Sequence, residues 1–166
     1  MPLYRQTGDL LTCDADWIVQ QCNCLNVRPH GLSADIAKAF PQSNPYALRR
    51  AIGSRNLAQA ADRGIPGTVV RLGRVCCLLA QWGPGKIGSF QHLPPSDPPE
   101  TWARREEWFQ ACLDSLDGTC GSMAFPDHIG CGMAGGNWER YEEMIKQFSE
   151  KNHSLDVYII KLESFW

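Results

Sequence analysis

Residues 124–145 read AFPDHIGCGMAGGNWERYEEMI, and their reading decides the fold. An apolar run enters the stretch and an acidic, helix-patterned run leaves it, with Gly130, Gly132, Gly135 and Gly136 packed into seven residues between them. Glycine gives up more backbone freedom on folding than any other residue, so this density needs a cause. A helix start leaves about four backbone N–H groups without partners and carries partial positive charge. Bare backbone just before such a start lets phosphate oxygens reach those groups, and left-handed glycines can stack N–H groups into an anion-holding concavity. GCGMAGG, residues 130–136, therefore reads as a phosphate cradle between a strand and a helix. The competing reading is that the glycines only permit close helix–sheet packing. No Lys-Ser/Thr pair closes the loop as in a Walker P-loop, and it is not a GxGxxG fingerprint after a first strand.

The helix that follows carries Trp138, Tyr141, Met144, Ile145 and Phe148 on one face. Glu139, Glu142 and Glu143 crowd its start and Lys146 and Lys151 its end, the order that suits the helix dipole. Further out, DWIVQQC (residues 16–22), RVCCLLAQW (74–82), GSMAFP (121–126) and LDVYIIKL (155–162) are short apolar runs of the kind that form buried parallel strands. GTVVRLG runs into RVCCLLAQ through a tight LGR turn, a hairpin signal, so the sheet is expected to be mixed. In GLSADIAKAFP, Leu32, Ile36 and Phe40 recur every four residues, with Ser33 as the expected N-cap and Pro41 as the stop. NPYALRRAIG predicts a short helical turn capped by Asn44, begun by Pro45 and ended by Gly53. Between residues 100 and 116, Trp102, Phe109, Leu113 and Leu116 form the stripe of a surface helix. Strands alternating with helices imply one α/β domain over residues 1–166, three layers with helices on both faces of a mixed central sheet.

The chain has 166 residues, 43% of them hydrophobic and 20% charged, enough for one core. A formal charge of -2 provides no field that would draw it to nucleic acid or an anionic membrane, so an anionic ligand must be held by local geometry. MPLYRQTGDLL has no leader pattern, and no apolar run approaches the ~20 residues that cross a bilayer, so an intracellular, cytoplasmic or nuclear, monomeric protein is expected. The eight cysteines lack the paired CxxC spacing of a zinc knuckle, and His30, His92, His128 and His153 are scattered. No metal or cofactor is expected; the cysteines read as small core residues of a reducing compartment.

Ligands of layered α/β domains bind where strands end and helices begin. Besides the glycine loop, CNCLNVRPHGLS (residues 22–33) follows a buried strand with Asn23 and reaches a helix start through Gly31 and Ser33. Two such sites on one sheet edge would clamp a diphosphate from both sides. A third segment, GPGKIGSFQHLPPSDPPE (residues 83–100), exceeds the ~12 to 15 residues usual for an unstructured connection, and loops that long are often lids.

Taken in order, GDLLTCDADWIVQQCN (residues 8–23), GLSADIAKAFP (31–41) and IGCGMAGGNW (129–138) make the chain resemble a macrodomain, the ADP-ribose-binding family, over nearly its whole length. IGCG followed shortly by Trp resembles the divergent branch of ADP-ribose 1''-phosphate phosphatases and terminal ADP-ribose protein glycohydrolases. The resemblance implies that Asp9 accepts a hydrogen bond from the adenine amino group with Leu10 beside it, and that Asn23 faces the distal ribose. It implies that Gly31, Leu32 and Ser33 hold one side of the diphosphate, and Gly130, Cys131, Gly132, Met133, Ala134, Gly135 and Gly136 the other. Phe165 or Trp166 would stack on the adenine. Read without the family, Asp9 caps a turn and Asn23 bonds locally at its strand end.

The departures bear on catalysis. Ser33 holds the place of an acid used in the larger branch, and Gln81 or Trp82 and Ala134 those of the Lys and Asp of the terminal glycohydrolases, so a lysyl-adduct mechanism is not expected. An imidazole could accept a proton near neutral pH, which makes His30, with Asn23, the first catalytic candidate and His128 the next; Asp35 could orient water. Cys24 and Cys131 lie near the expected phosphates, where a helix start can lower a thiol pKa, but no base pairs with them. Three functions follow: a hydrolase that removes ADP-ribose from protein or nucleic acid or dephosphorylates ADP-ribose 1''-phosphate, a reader that binds ADP-ribose without chemistry, and a cysteine-based redox or metal-binding protein. The first is favoured.

Overall fold

A computed structural model describes residues 3–162. Its strands are β1 (Leu3–Gly8), β2 (Trp17–Asn23), β3 (Val69–Leu72), β4 (Val75–Gln81), β5 (Gly121–Pro126) and β6 (Leu155–Leu162). The helices are α1 (Leu32–Ala39), α2 (Trp102–Ser115) and α3 (Trp138–Lys151). The sheet order is β1-β6-β5-β2-β4-β3. Every neighbouring pair is parallel except β3 and β4, which form the expected antiparallel hairpin, so the sheet is mixed.

Side chains alternate across the sheet, and this splits the core into two layers. Val19, Cys76, Leu78 and Phe125 face α2 and α3, where Phe109, Leu113, Tyr141, Ile145 and Phe148 close over them. Ile18, Cys22, Cys77 and Leu79 point the other way, towards Ile36 of α1 and Tyr46. The result is the three-layer α/β arrangement. Five strands run in one direction, so Asn23, Gln81 and Pro126 end together on one sheet edge. Between Gln21 and Asn23 the β2–β4 ladder slips: two steps along β2 meet three along β4, an irregularity of the kind that re-aims side chains near sites.

Four local features differ from the sequence reading. β1 was not foreseen, because LYRQTG is an edge strand with mostly exposed side chains and no apolar run. Ser33 is not the cap of α1. Gly31 is, at φ 59, and Ser33 is the second residue of the helix, with its hydroxyl turned onto Gln20. Asn44 and Pro45 do start a short 3-10 turn, yet it ends at Leu48, well before Gly53. On α2, Trp102 is exposed, and Arg105 and Trp108 join Phe109 and Leu113 on the buried side.

Candidate functional site

A cleft of about 770 Å³ opens at the edge where β2, β4 and β5 end. Its two walls are the loops on which the sequence reading settled. On the first wall, Asn23 folds its own loop: Oδ1 accepts the N–H groups of Leu25 (3.1 Å) and Asn26 (2.8 Å). Arg49 locks that turn, donating to the carbonyls of Asn26 (2.9 Å) and Asn23 (3.0 Å) while stacking on Tyr46. With Oδ1 spent on the turn, Nδ2 is the end of the Asn23 amide that carries no hydrogen bond among the described residues, and Asn23 lines the cleft. His30, Leu32 and Ser33 line it as well. The carbonyl of Gly31 accepts from Ala34 and Asp35, so the first N–H groups of α1, those of Leu32 and Ser33, have no acceptor among the described residues.

The second wall is built by Gly130, Cys131, Gly132, Met133 and Ala134. Here the four glycines separate. Gly130 sits at φ 74, and a Cβ there would lie 2.7 Å from both Gln21 Oε1 and the Tyr141 ring. Gly135 is at φ 78 under the Lys86 side chain, and a Cβ on Gly136 would lie 2.6 Å from the Gly130 carbonyl. These three are required by close packing of the chain on itself, and neither Gly135 nor Gly136 lines the cleft. Gly132 alone has open space around its Cβ position and no left-handed φ. The N–H groups of Gly132, Met133 and Ala134 have no acceptor among the described residues, whereas those of Gly135 and Gly136 bond to Gly132 and Gly130. The walls come close: a Cβ on Gly31 would stand 3.3 Å from Met133 Sδ.

Arg105 ties this wall to the rest of the molecule. It is 1% exposed and donates to the carbonyls of Gly83 (3.2 Å), Gly85 (2.9 Å) and Ala134 (3.2 Å), and to Glu100 (2.8 Å). Glu100 in turn accepts the N–H groups of Trp82 (2.7 Å) and Gly83 (3.3 Å). The segment 83–100 is thus pinned at its base, and Trp82 Nε1 adds a bond to the Pro94 carbonyl. Pro84, Phe90 and Leu93 give it an apolar flank on the cleft.

Sequence reasoning missed Arg105, although its place four residues before Phe109 on the apolar stripe was a usable signal. It also missed the amide row beneath the cleft. Gln20 accepts from Ser33 Oγ at 2.7 Å, and Gln21 donates to Gln81, which donates to the Gly83 carbonyl. Ser33, Gln81, Trp82 and Ala134 all have structural partners, and none of them offers a base.

The other candidates are placed as follows. Asp9 caps the 3-10 turn Leu10–Thr12, its Oδ1 accepting from Leu11 N–H at 2.9 Å; Leu10 is buried, and neither residue lines the cleft. His30 lines the cleft without a protein partner among the described residues; Asp35 is exposed on α1 and does not line it. His128 lines it with Asp127, Nδ1 to Oδ2 at 2.6 Å, and its ring stacks on Trp138. Phe165 and Trp166 lie outside the described residues. The thiol expectation is reversed: burial pushes both Cys24 and Cys131 up to about 12, more than offsetting any helix-start effect. All eight cysteines are free, five of them buried.

No protein-family model and no curated protein matches this sequence. Among solved structures, the chain is similar to the macrodomain of Mycobacterium tuberculosis DarG, at 16% identity and a TM-score of 0.63, with 96% of this chain and 97% of that one covered. The macrodomain of Thermus aquaticus DarG gives 17% identity and the same coverage and TM-score. The Trypanosoma brucei macrodomain in complex with ADP-ribose gives 15% identity and a TM-score of 0.57, covering 96% of this chain and 63% of that one. With a six-stranded mixed sheet in that layered arrangement, this chain folds as a macrodomain over nearly its whole length.

Proposed function

We propose that this protein binds ADP-ribose in the cleft, its diphosphate lying between the start of α1 and the glycine loop. One observation carries the reading. Two sets of backbone N–H groups without an acceptor among the described residues, at Leu32 and Ser33 and at Gly132, Met133 and Ala134, flank one cleft whose walls come close at Gly31 and Met133. Such groups hold an anion through the backbone itself, and the guanidinium-bearing Arg28 lines the same cleft. The apolar flank of Phe90, Leu93 and Leu32 suits a ring of the nucleotide. Trypanosoma brucei macrodomains of the same fold have been seen with ADP-ribose and with ADP, which supports the reading.

The bound molecule would be the handle of an ADP-ribosylated protein or nucleic acid, and hydrolysis of its linkage at the distal ribose is the second half of the proposal. The amide end of Asn23 that faces the cleft is placed to hold a ribose hydroxyl or a water. Calorimetric titration with ADP-ribose, beside a hydrolysis assay on mono-ADP-ribosylated protein and DNA, tests both halves. Saturable binding with turnover is expected; binding without turnover would leave a reader module, which the structural roles of Gln81 and Ala134 favour.

A further inference from the structure

His30 is the histidine nearest the first wall, but the organised one stands on the second. His128 Nδ1 is 2.6 Å from Asp127 Oδ2, and a carboxylate can only accept, so in the neutral ring Nδ1 carries the shared proton and Nε2 keeps its lone pair. The ring lies 5.0 Å from the Trp138 ring at 17°, a stack that restricts its rotation. Its partner is positioned in turn: Asp127 N–H donates to the Ile160 carbonyl at 2.8 Å, fixing the residue just past β5. The backbone of His128 is held at φ 62, which few residues other than glycine adopt and which clusters at functional sites. Both residues line the cleft, at the head of the loop whose Gly132, Met133 and Ala134 N–H groups have no acceptor among the described residues.

Resting on the reading of the cleft as an ADP-ribose site, we propose that His128 is the general base of a hydrolysis at the distal ribose and Asp127 its positioning residue. The substrate class is ADP-ribose joined through oxygen to an acidic leaving group, a protein carboxylate or a phosphate. Nε2 takes a proton from water, and the water oxygen bonds to C1'' while the bond from C1'' to the leaving oxygen breaks. The leaving group departs with that electron pair. The imidazolium, paired with the Asp127 carboxylate, then returns its proton to the leaving oxygen or to solvent.

Glycine at position 128 accepts the left-handed backbone without strain, so His128→Gly removes the ring and keeps the loop. On an Asp/Glu-linked mono-ADP-ribosylated protein and on ADP-ribose 1''-phosphate, turnover by one or both is expected for the wild type. His128→Gly should lower kcat on that substrate at least about 100-fold, with the Kd for ADP-ribose unchanged, and added imidazole should restore part of the rate. Asp127→Asn should lower kcat without changing KM, and Asp127→Glu should recover part of it. Retained turnover in His128→Gly, loss of ADP-ribose binding in it, or failure of imidazole to rescue overturns the assignment. A wild type that binds ADP-ribose yet turns over neither substrate overturns it too while leaving the binding site standing. Absence of ADP-ribose binding overturns the binding reading itself.

Discussion

The carbonyl of Gly130 accepts the N–H of Gly136 at 3.0 Å, and the same carbonyl would sit 2.6 Å from any Cβ added at Gly136. Together with the bond from the Gly135 N–H to the Gly132 carbonyl, that hydrogen bond closes the loop in front of α3 and leaves the N–H groups of Gly132, Met133 and Ala134 without an acceptor among the described residues. A backbone oxygen cannot swing aside as a side chain can. Gly136→Ala is therefore expected to lower stability by about 1–3 kcal/mol, and Gly130→Ala to do the same through its left-handed φ and the Tyr141 ring. Urea denaturation checks both.

Gly132 should behave in the opposite way. Its Cβ position is open and its backbone is not left-handed, so Gly132→Ala should stay within about 0.5 kcal/mol of the wild type. Gly132→Leu should also fold, but its side chain would enter the cleft over the N–H groups. A rise in the ADP-ribose Kd of about 100-fold or more is expected by calorimetry. Unchanged affinity in that variant would count against the glycine loop as a phosphate wall.

Arg105 holds the second wall from inside. Its removal leaves the carbonyls of Gly83, Gly85 and Ala134 and the carboxylate of Glu100 without their donor. Arg105→Met is expected to cost roughly 3–5 kcal/mol in denaturant unfolding, because it strands a largely buried charge. Arg105→Lys should recover little, since one ammonium cannot serve four acceptors spread across a planar fork.

The thiols give a pH signature. Burial raises Cys24 and Cys131 from 9.0 to about 12, so the folded chain keeps these protons to higher pH than the unfolded chain does. Their contribution to stability is complete below the unfolded value and is lost as pH rises from about 9 towards about 12. The urea midpoint should fall between about pH 8 and about pH 10, and Cys24→Ala with Cys131→Ala should lessen that fall without abolishing it, since burial raises Cys76 and Cys112 as well. In native protein near neutral pH, alkylation followed by mass spectrometry should label exposed Cys120 first and the five buried cysteines, Cys24 among them, last.

Much of this architecture could be read before any coordinates. VCCLLAQ and GSMAFP are apolar enough to be buried strands and nothing else, and the stripe of Tyr141, Ile145 and Phe148 defines α3. β1 escaped because an edge strand needs no apolar run. Two other features depend on contacts between distant segments, which local patterns do not carry. Gly130 and Gly136 look the same as Gly132 in a sequence, yet Tyr141 and a backbone carbonyl require the first two and nothing among the described residues crowds the third. His30 and His128 are both loop histidines; only the fold brings Trp138 onto the second, with Asp127 turned to meet it.

The central claim is that backbone N–H groups of the two walls grip the diphosphate, and amide chemical shifts read those groups individually. In a ¹⁵N-labelled sample titrated with ADP-ribose, the signals of Leu32, Ser33, Gly132, Met133 and Ala134 are expected to move together and saturate at one ligand per chain. Shifts confined to other residues, or none at saturating ADP-ribose, would contradict the account.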